Sequence, residues 1–418
     1  MHQFSTYMST EITTKKFSSY QILVITILAL TQFTVVLDFM VMSPLGDKLM
    51  KAMQLTPQQF GIAMFSYAFS AGISGFLTAG FADSFDRKKL LLFFYIGFIV
   101  GTLFCGLANT YPLLIAARVF TGVFGGVIGS ISMAIVSDLF TLEQRGRVMG
   151  FMQMGFGASQ VLGIPISLYI ANRWGWQSPF FLIVVLAFII WLVLTVKLKP
   201  ITKHLEVKNK DNALKHLIHT ISQKNYRIGF LATALMSLGG FMIMPWGSVY
   251  AINNLNVTEA QLPLLFMISG VATLIIMPII GKLSDKIDKF KLFTIASAWM
   301  IMVVLIYANL VPVPFWIVVV LNVMMMMGVM ARMIPSVALV SALPELRDRG
   351  AFMSINSSLQ QLAGGIAAAI GGMIIVQKDN FSPIEHYDTL ALVVGIFVGI
   401  CVYVLSLVSK IVKDKNKA

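Results

Sequence analysis

Charge is scarce in this sequence. Only 12% of its 418 residues are Asp, Glu, Lys or Arg, against 57% hydrophobic; a soluble domain carries about a quarter charged residues. That scarcity excludes an ordinary water-soluble globule. Cysteine is almost missing too: Cys105 and Cys401 each sit inside an apolar run. Two residues so placed build neither a disulfide framework nor a metal cluster, and they read as packing residues within helices. No GxxxxGK[ST] loop occurs, which removes the usual cradle for ATP phosphates. The first apolar run follows Lys15 and Lys16, yet it extends from Gln21 to about Leu45 with no small-residue cleavage site after it, so it is not a signal peptide. No cofactor, no metal and no enzymatic chemistry are expected.

What is present is a succession of long apolar runs. The length holds about twelve spans of roughly 20–25 residues with short connections. The expected organisation is a tail over 1–20, six spans over 21–196, a polar linker over 197–227, six further spans over 228–409 and a tail over 410–418. Leu214, Leu217, Ile218 and Ile221 fall at helical spacing within the linker, which predicts a short amphipathic helix lying along a membrane surface. Thr56-Pro57-Gln58-Gln59 is a capping box opening the second span, and Thr258-Glu259-Ala260-Gln261 is its counterpart at the eighth. Trp174 and Trp176 suit an interfacial aromatic belt.

The charges that do occur repeat. Asp83, Asp86 and Arg87 between the second and third spans return as Asp285, Asp288 and Lys289, 202 residues later. At the same offset Glu143, Arg145 and Arg147 return as Glu345, Arg347 and Arg349, and Gly126 and Gly163 as Gly328 and Gly365. One unit of about 200 residues is therefore used twice in the same order. A parallel repeat of membrane helices is one plan for a secondary transporter.

Lys and Arg also fix an expected orientation. With the N-terminus inside, 25 of the 31 fall in inner segments and only Lys48, Lys51, Arg173 and Lys378 outside. This is a positive-inside distribution with both termini cytoplasmic. It accounts for the net charge of +13 without any nucleic acid.

The loop Ala79-Gly-Phe-Ala-Asp83-Ser-Phe-Asp86-Arg87-Lys88 resembles the helix 2–3 signature of the major facilitator superfamily, G-x-L-A-D-x-x-G-R-K, with Ala79 and Asp86 replacing its glycines. Gly281 to Lys289 is the second-half copy. Arg118-Val-Phe-Thr-Gly122 resembles the R-x-x-Q-G signature of proton-coupled antiporters, with Thr121 in place of glutamine. Val161-Leu-Gly163-Ile-Pro165, followed by Gly175-Trp176 and Phe180, resembles the fifth span of arabinose-efflux-type and drug:proton antiporters, though Ile164 interrupts G-P and Ser167 stands where glycine is common. The resemblance implies an all-α membrane protein of twelve transmembrane helices in two six-helix repeats, the major facilitator fold. It implies a monomeric, multi-pass protein of a bacterial inner (plasma) membrane.

Three charges lie within spans: Asp38, Arg118 and Arg332. Asp38 and Arg118 sit at similar depth, ~10 Å inside the outer boundary. If the first and fourth spans are neighbours, as the resemblance implies, the two can pair, and breaking and remaking the pair would take up and release a proton. The alternative is a static pair that only fixes packing. Arg332 could bind an anionic substrate group or snorkel to the cytoplasm. Asp83, Arg87, Asp285, Lys289, Glu143 and Arg145 could latch the two halves in one state and release them in another; otherwise they are topology signals. Gln32, Met42, Gln153, Gln160, Phe241, Trp246, Asn322, Arg332, Asn356 and Gln360 are expected to line a central cavity for a small-molecule substrate; hydrogen bonding between helices is the plainer role for the amides. The expectation is proton-coupled antiport: efflux of a small organic molecule such as a drug, sugar or metabolite by alternating access. An importer or uniporter on the same fold, a lipid flippase and a non-transporting receptor are the rivals.

Overall fold

A computed structural model describes residues 17–78, 85–202, 205, 213–345 and 348–415. Asp83 and Arg347 lie outside the described residues, as do the side chains of Glu143, Gln153 and Leu214. The described chain is almost wholly helical. In order the helices are α1 (Ser19–Val41), α2 (Gly46–Met53), α3 (Pro57–Thr78), α4 (Arg87–Leu107), α5 (Tyr111–Leu139), α6 (Leu142–Ala158), α7 (Ile164–Trp174), α8 (Ser178–Lys197) and α9 (Ala213–Ser222). There follow α10 (Lys224–Phe241), α11 (Gly247–Asn253), α12 (Leu262–Lys286), α13 (Lys289–Ala308), α14 (Phe315–Ser341), α15 (Arg349–Ile374) and α16 (Tyr387–Lys415).

Among the described residues eleven helical spans are long and apolar enough to cross a membrane; α6 joins α7 and α10 joins α11 as single spans. The twelfth is α15, whose Ser354, Asn356, Ser357, Ser358, Gln360 and Gln361 lower its apolarity. It can carry them because it packs along α3. A Cβ on Gly61 would lie 2.8 Å from the Ala368 carbonyl, and one on Gly72 would lie 2.7 Å from Leu362. Backbones this close shield Ser358 from lipid, while Ser357 and Gln360 are exposed.

Packing repeats as the sequence does. In the first half α3 and α4 pack on α5, α1 on α6, and α4 on α8; in the second α12 and α13 pack on α14, α10 on α15, and α13 on α16. Between the halves, α3 meets α15, and α12 meets α7 with the turn before it. Even unusual backbone is repeated: Gln54 and Asn256, 202 apart, are left-handed at φ 53° and 57°, each just before a capping threonine. Asp86 and Asp288, also 202 apart, accept from the backbone N–H of Lys88 and Lys291 and start α4 and α13. The Thr56–Gln59 capping box forms as read, with bonds of 3.2 and 2.9 Å, and α9 supplies the amphipathic helix of the linker.

Several boundaries differ from the sequence reading, and proline accounts for most of them. The first span stops at Val41 instead of running to Leu45, because Pro44 cannot continue the ladder, and α2 follows after the turn. The seventh breaks around Pro245 into α10, a 3₁₀ turn over Met244–Trp246, and α11. The fifth carries a π-helical turn, Ser159–Gly163, just before Pro165. At the eighth, Gln261 reaches back to the Thr258 N–H at 3.0 Å, yet the helix starts only at Leu262, with Pro263 in its first turn. The last helix continues to Lys415, whose amine donates to the Leu343 and Pro344 carbonyls. Trp174 is exposed as a belt residue should be, whereas Trp176 is buried edge-on to Phe180, ring centroids 6.2 Å apart.

Candidate functional site

The two charges inside the first half meet. Asp38 on α1 and Arg118 on α5 are both 0% exposed, and Arg118 Nη1 lies 3.0 Å from Asp38 Oδ2. Thr102 on α4 donates to the other carboxylate oxygen at 3.2 Å. The guanidinium stands 4.3 Å over the Tyr67 ring of α3, a cation–π contact. Arg118 Nε and Nη2 have no hydrogen-bond partner among the described residues. Four helices converge here because small residues let them. A Cβ on Gly101 would strike Thr121, and one on Gly122 would strike Ser70 and the Tyr67 carbonyl. The site is buried and neutral in sum, with one carboxylate able to accept a proton and one cation held chiefly by that carboxylate.

Aromatic rings lead from this pair to the other half. Phe39, next to Asp38, lies 5.6 Å from Tyr67 and 5.9 Å, edge-on, from Phe241 of α10. Phe241 in turn packs beside Gly364 of α15.

Beyond it the halves are sealed at the face opposite the linker. Ser43 donates to the Met244 carbonyl at 2.8 Å, and Ser248 donates to the Ser43 carbonyl at 2.7 Å. Asn253 Nδ2 donates to Asp47 Oδ1 at 2.6 Å, while Lys51 Nζ holds Asp47 Oδ2 at 2.8 Å. Lys48 pairs with Glu259 at 2.6 Å, Asn172 donates to the Glu259 carbonyl, and Asn380 donates to that of Met50. Trp246 is fully buried against Phe60, and Met42 is fully buried too. Both of these expected cavity residues therefore belong to the seal. Sequence reasoning missed Asp47, a carboxylate only 1% exposed. Its signal was the Asp47–Lys51 spacing of four on α2, which sets an acid and a base side by side on one helix face.

At the linker face several polar contacts among the described residues run within one half. Arg87 Nε meets Asp138 Oδ2 at 3.3 Å, and Arg145 donates to the Ser137 and Phe140 carbonyls. Tyr226 donates to Asp348 at 3.0 Å, and Lys413 pairs with Asp288 at 2.9 Å. The Lys413 hydrogen bond, with the Lys291 N–H, holds the Asp288 carboxyl below the usual carboxylate range. Asp285 is exposed and Lys289 half-buried.

The remaining expected cavity residues divide. Gln360 is exposed, and Gln32 is half-buried, facing Gly129. Gln160 lies in the π turn with its amide 4.0 Å from Met40 Sδ. Asn322 accepts from Ser269 at 2.8 Å and Asn356 from Thr233 at 2.6 Å, so both join neighbouring helices. Arg332, 2% exposed, packs inside the second half, bonded to Ser297 at 3.0 Å and to the Met300 and Met236 sulfurs over the Phe293 ring. It does not snorkel.

Comparison with known proteins places this geometry among its relatives. The profile of the Major Facilitator Superfamily matches residues 28–224 and 229–418. An uncharacterized MFS-type transporter of Bacillus subtilis, YbcL, is 26% identical over 383 residues, covering 90% of this chain and 95% of that protein. Multidrug resistance protein 2 of the same organism is 24% identical over 285 residues, 66% of this chain and 70% of that protein. Among solved structures, a bacterial homolog of the human lysosomal transporter Spinster, inward-facing and unoccupied, superposes with TM-score 0.76 at 14% identity, covering 96% of this chain and 99% of that one. A D-xylose-proton symporter gives 0.73 at 17%, covering 91% and 97%.

Proposed function

The chain belongs to the major facilitator superfamily, and from that premise we propose that it exports a small organic molecule in exchange for protons. It is a membrane transporter, not an enzyme. The observation that carries the coupling is the buried Asp38–Arg118 pair. A charge inside a span is costly and marks a pathway. When Asp38 takes a proton, Arg118 loses the anion that holds it and can move over Tyr67. Phe39 then transmits the movement of α1 to Phe241 and so to the seal. Release of the proton remakes the pair and draws the halves back.

The linker face is read as cytoplasmic from the distribution of Lys and Arg, in a bacterial inner membrane and with the protein as a monomer. The sealed opposite face then corresponds to an inward-open state, a reading supported by the fold shared with an inward-facing structure. In that state Gln32 and Gln360 offer the substrate hydrogen bonds near the midplane. Arg87, Arg145, Asp285 and Lys289, with Asp83 and Glu143, would engage across the halves in the opposite state, replacing the Asp47–Asn253 seal. Export is favoured by the likeness to a multidrug resistance protein.

The test is transport in proteoliposomes under an imposed pH difference, screened over a panel of drugs, sugars and metabolites. Counterflow of substrate and protons, abolished in Asp38→Asn, is the expected result. Movement in the same direction would make the protein a symporter. Transport indifferent to the gradient would make it a uniporter.

A further inference from the structure

A groove of about 530 Å³ lies away from the central site. Its walls are α3 of the first half and α10 and α15 of the second, with Ile221 of α9 at one end. Gly72, backed against Leu362, belongs to its wall. The groove opens outward rather than into the protein: Leu77 and Leu231, on facing walls, are 61% and 51% exposed. Its lining is carbon except at Ser358 and at Arg227, in the first turn of α10. The Arg227 side chain is exposed and makes no ion pair among the described residues.

We propose that this groove binds one acyl chain of an anionic phospholipid, with the headgroup phosphate on Arg227. The lining is flanked on every side by membrane-crossing helices, so hydrocarbon is the solvent that meets it. Of the groove's lining residues only Arg227 is a cation, and it stands at the end next to α9, the amphipathic helix read as lying along the membrane surface, which is headgroup depth. Guanidinium recognises phosphate through paired N–H donors, and a headgroup lacking choline's cation leaves that phosphate's charge unopposed, so the anionic lipid is preferred. The walls come from both halves, so a bound chain wedges between them and favours the arrangement in which the groove exists. This binding is independent of what the central site carries.

The experiment uses the full chain in nanodiscs with photoactivatable phospholipids bearing a diazirine on the headgroup-proximal part of one acyl chain, as phosphatidylglycerol and as phosphatidylcholine. Crosslinks on peptides containing Leu77, Leu231 and Leu359 should be at least fivefold more abundant with phosphatidylglycerol. Arg227→Gln should bring the two lipids to equal yield, and Arg227→Lys should restore part of the preference. Ala234→Trp should displace both lipids from these peptides while leaving labelling elsewhere unchanged; if that variant does not fold, Leu231→Trp is read instead. Equal yields from the two lipids in the unmodified protein, or a preference that survives Arg227→Gln, would overturn the proposal and leave only annular lipid.

Discussion

At Arg118 a full charge is buried, and beside it stand one carboxylate, one ring and several small residues. Removing either member of such a pair leaves the other uncompensated, at a cost of about 3–5 kcal/mol. Asp38→Asn and Arg118→Ala should each lower the unfolding temperature, and the double variant should lose much less than the sum, since partners in one pair do not add. Thermal unfolding of the four proteins measures this; strict additivity would mean the two residues act separately. In transport, uphill export should vanish in Asp38→Asn while downhill exchange persists, because a carboxamide does not titrate in this range. This pair was legible in the sequence, since a charge in a long apolar run stands out. Asp47 was not: at the end of a run an acid is ordinary, and only tertiary packing makes it 1% exposed. Arg332 was seen, but its methionine and serine partners lie 32 to 96 residues away in sequence, a distance no local pattern spans.

Among the elements, α2 and α11 form the lid of the seal, and Asp47 with Asn253 is its main polar junction. Asp47→Ala strands Lys51 and Asn253, a loss of about 1–3 kcal/mol, which is roughly 5- to 150-fold in the balance between states. A cysteine at Gln32 should therefore react faster with an impermeant maleimide added from the face opposite the linker. An unchanged rate would show that the lid does not gate the cavity. The α3–α15 junction gives a second test. Gly61→Val would press on the Ala368 carbonyl, an overpacking worth about 1–3 kcal/mol. Gly240→Ala meets open space and should be neutral or slightly stabilising. Melting curves of the two variants distinguish a close junction from a loose one. Number and type of the elements were legible because apolar length and capping boxes are local signals. The breaks at Pro44 and Pro245 and the π turn before Pro165 were not, since proline within a span can equally leave a kink in a continuous helix.

For the whole molecule, the repeat at 202 residues was readable from a handful of charges, and it reappears in the packing of every corresponding helix pair described above and in two left-handed residues. Orientation is the remaining global quantity. A cysteine in 197–202 should be labelled only from the cytoplasmic side, and one at Asn109 only from outside; the reverse pattern would invert every depth assigned here. The two seams between the halves are not alike. Along one, α3 and α15 touch from Gly61 to Gly75, about 20 Å of helix. Along the other, α12 touches chiefly α7 and the π turn before it, toward the sealed face. The first seam is the spine of a book and the second its fore-edge, so the covers part most on the side of α6 and α12. If the proposed exporter takes its substrate from the bilayer, this side, where α6 meets α12 at Gly157 and Leu274, is the entrance that the two seams leave.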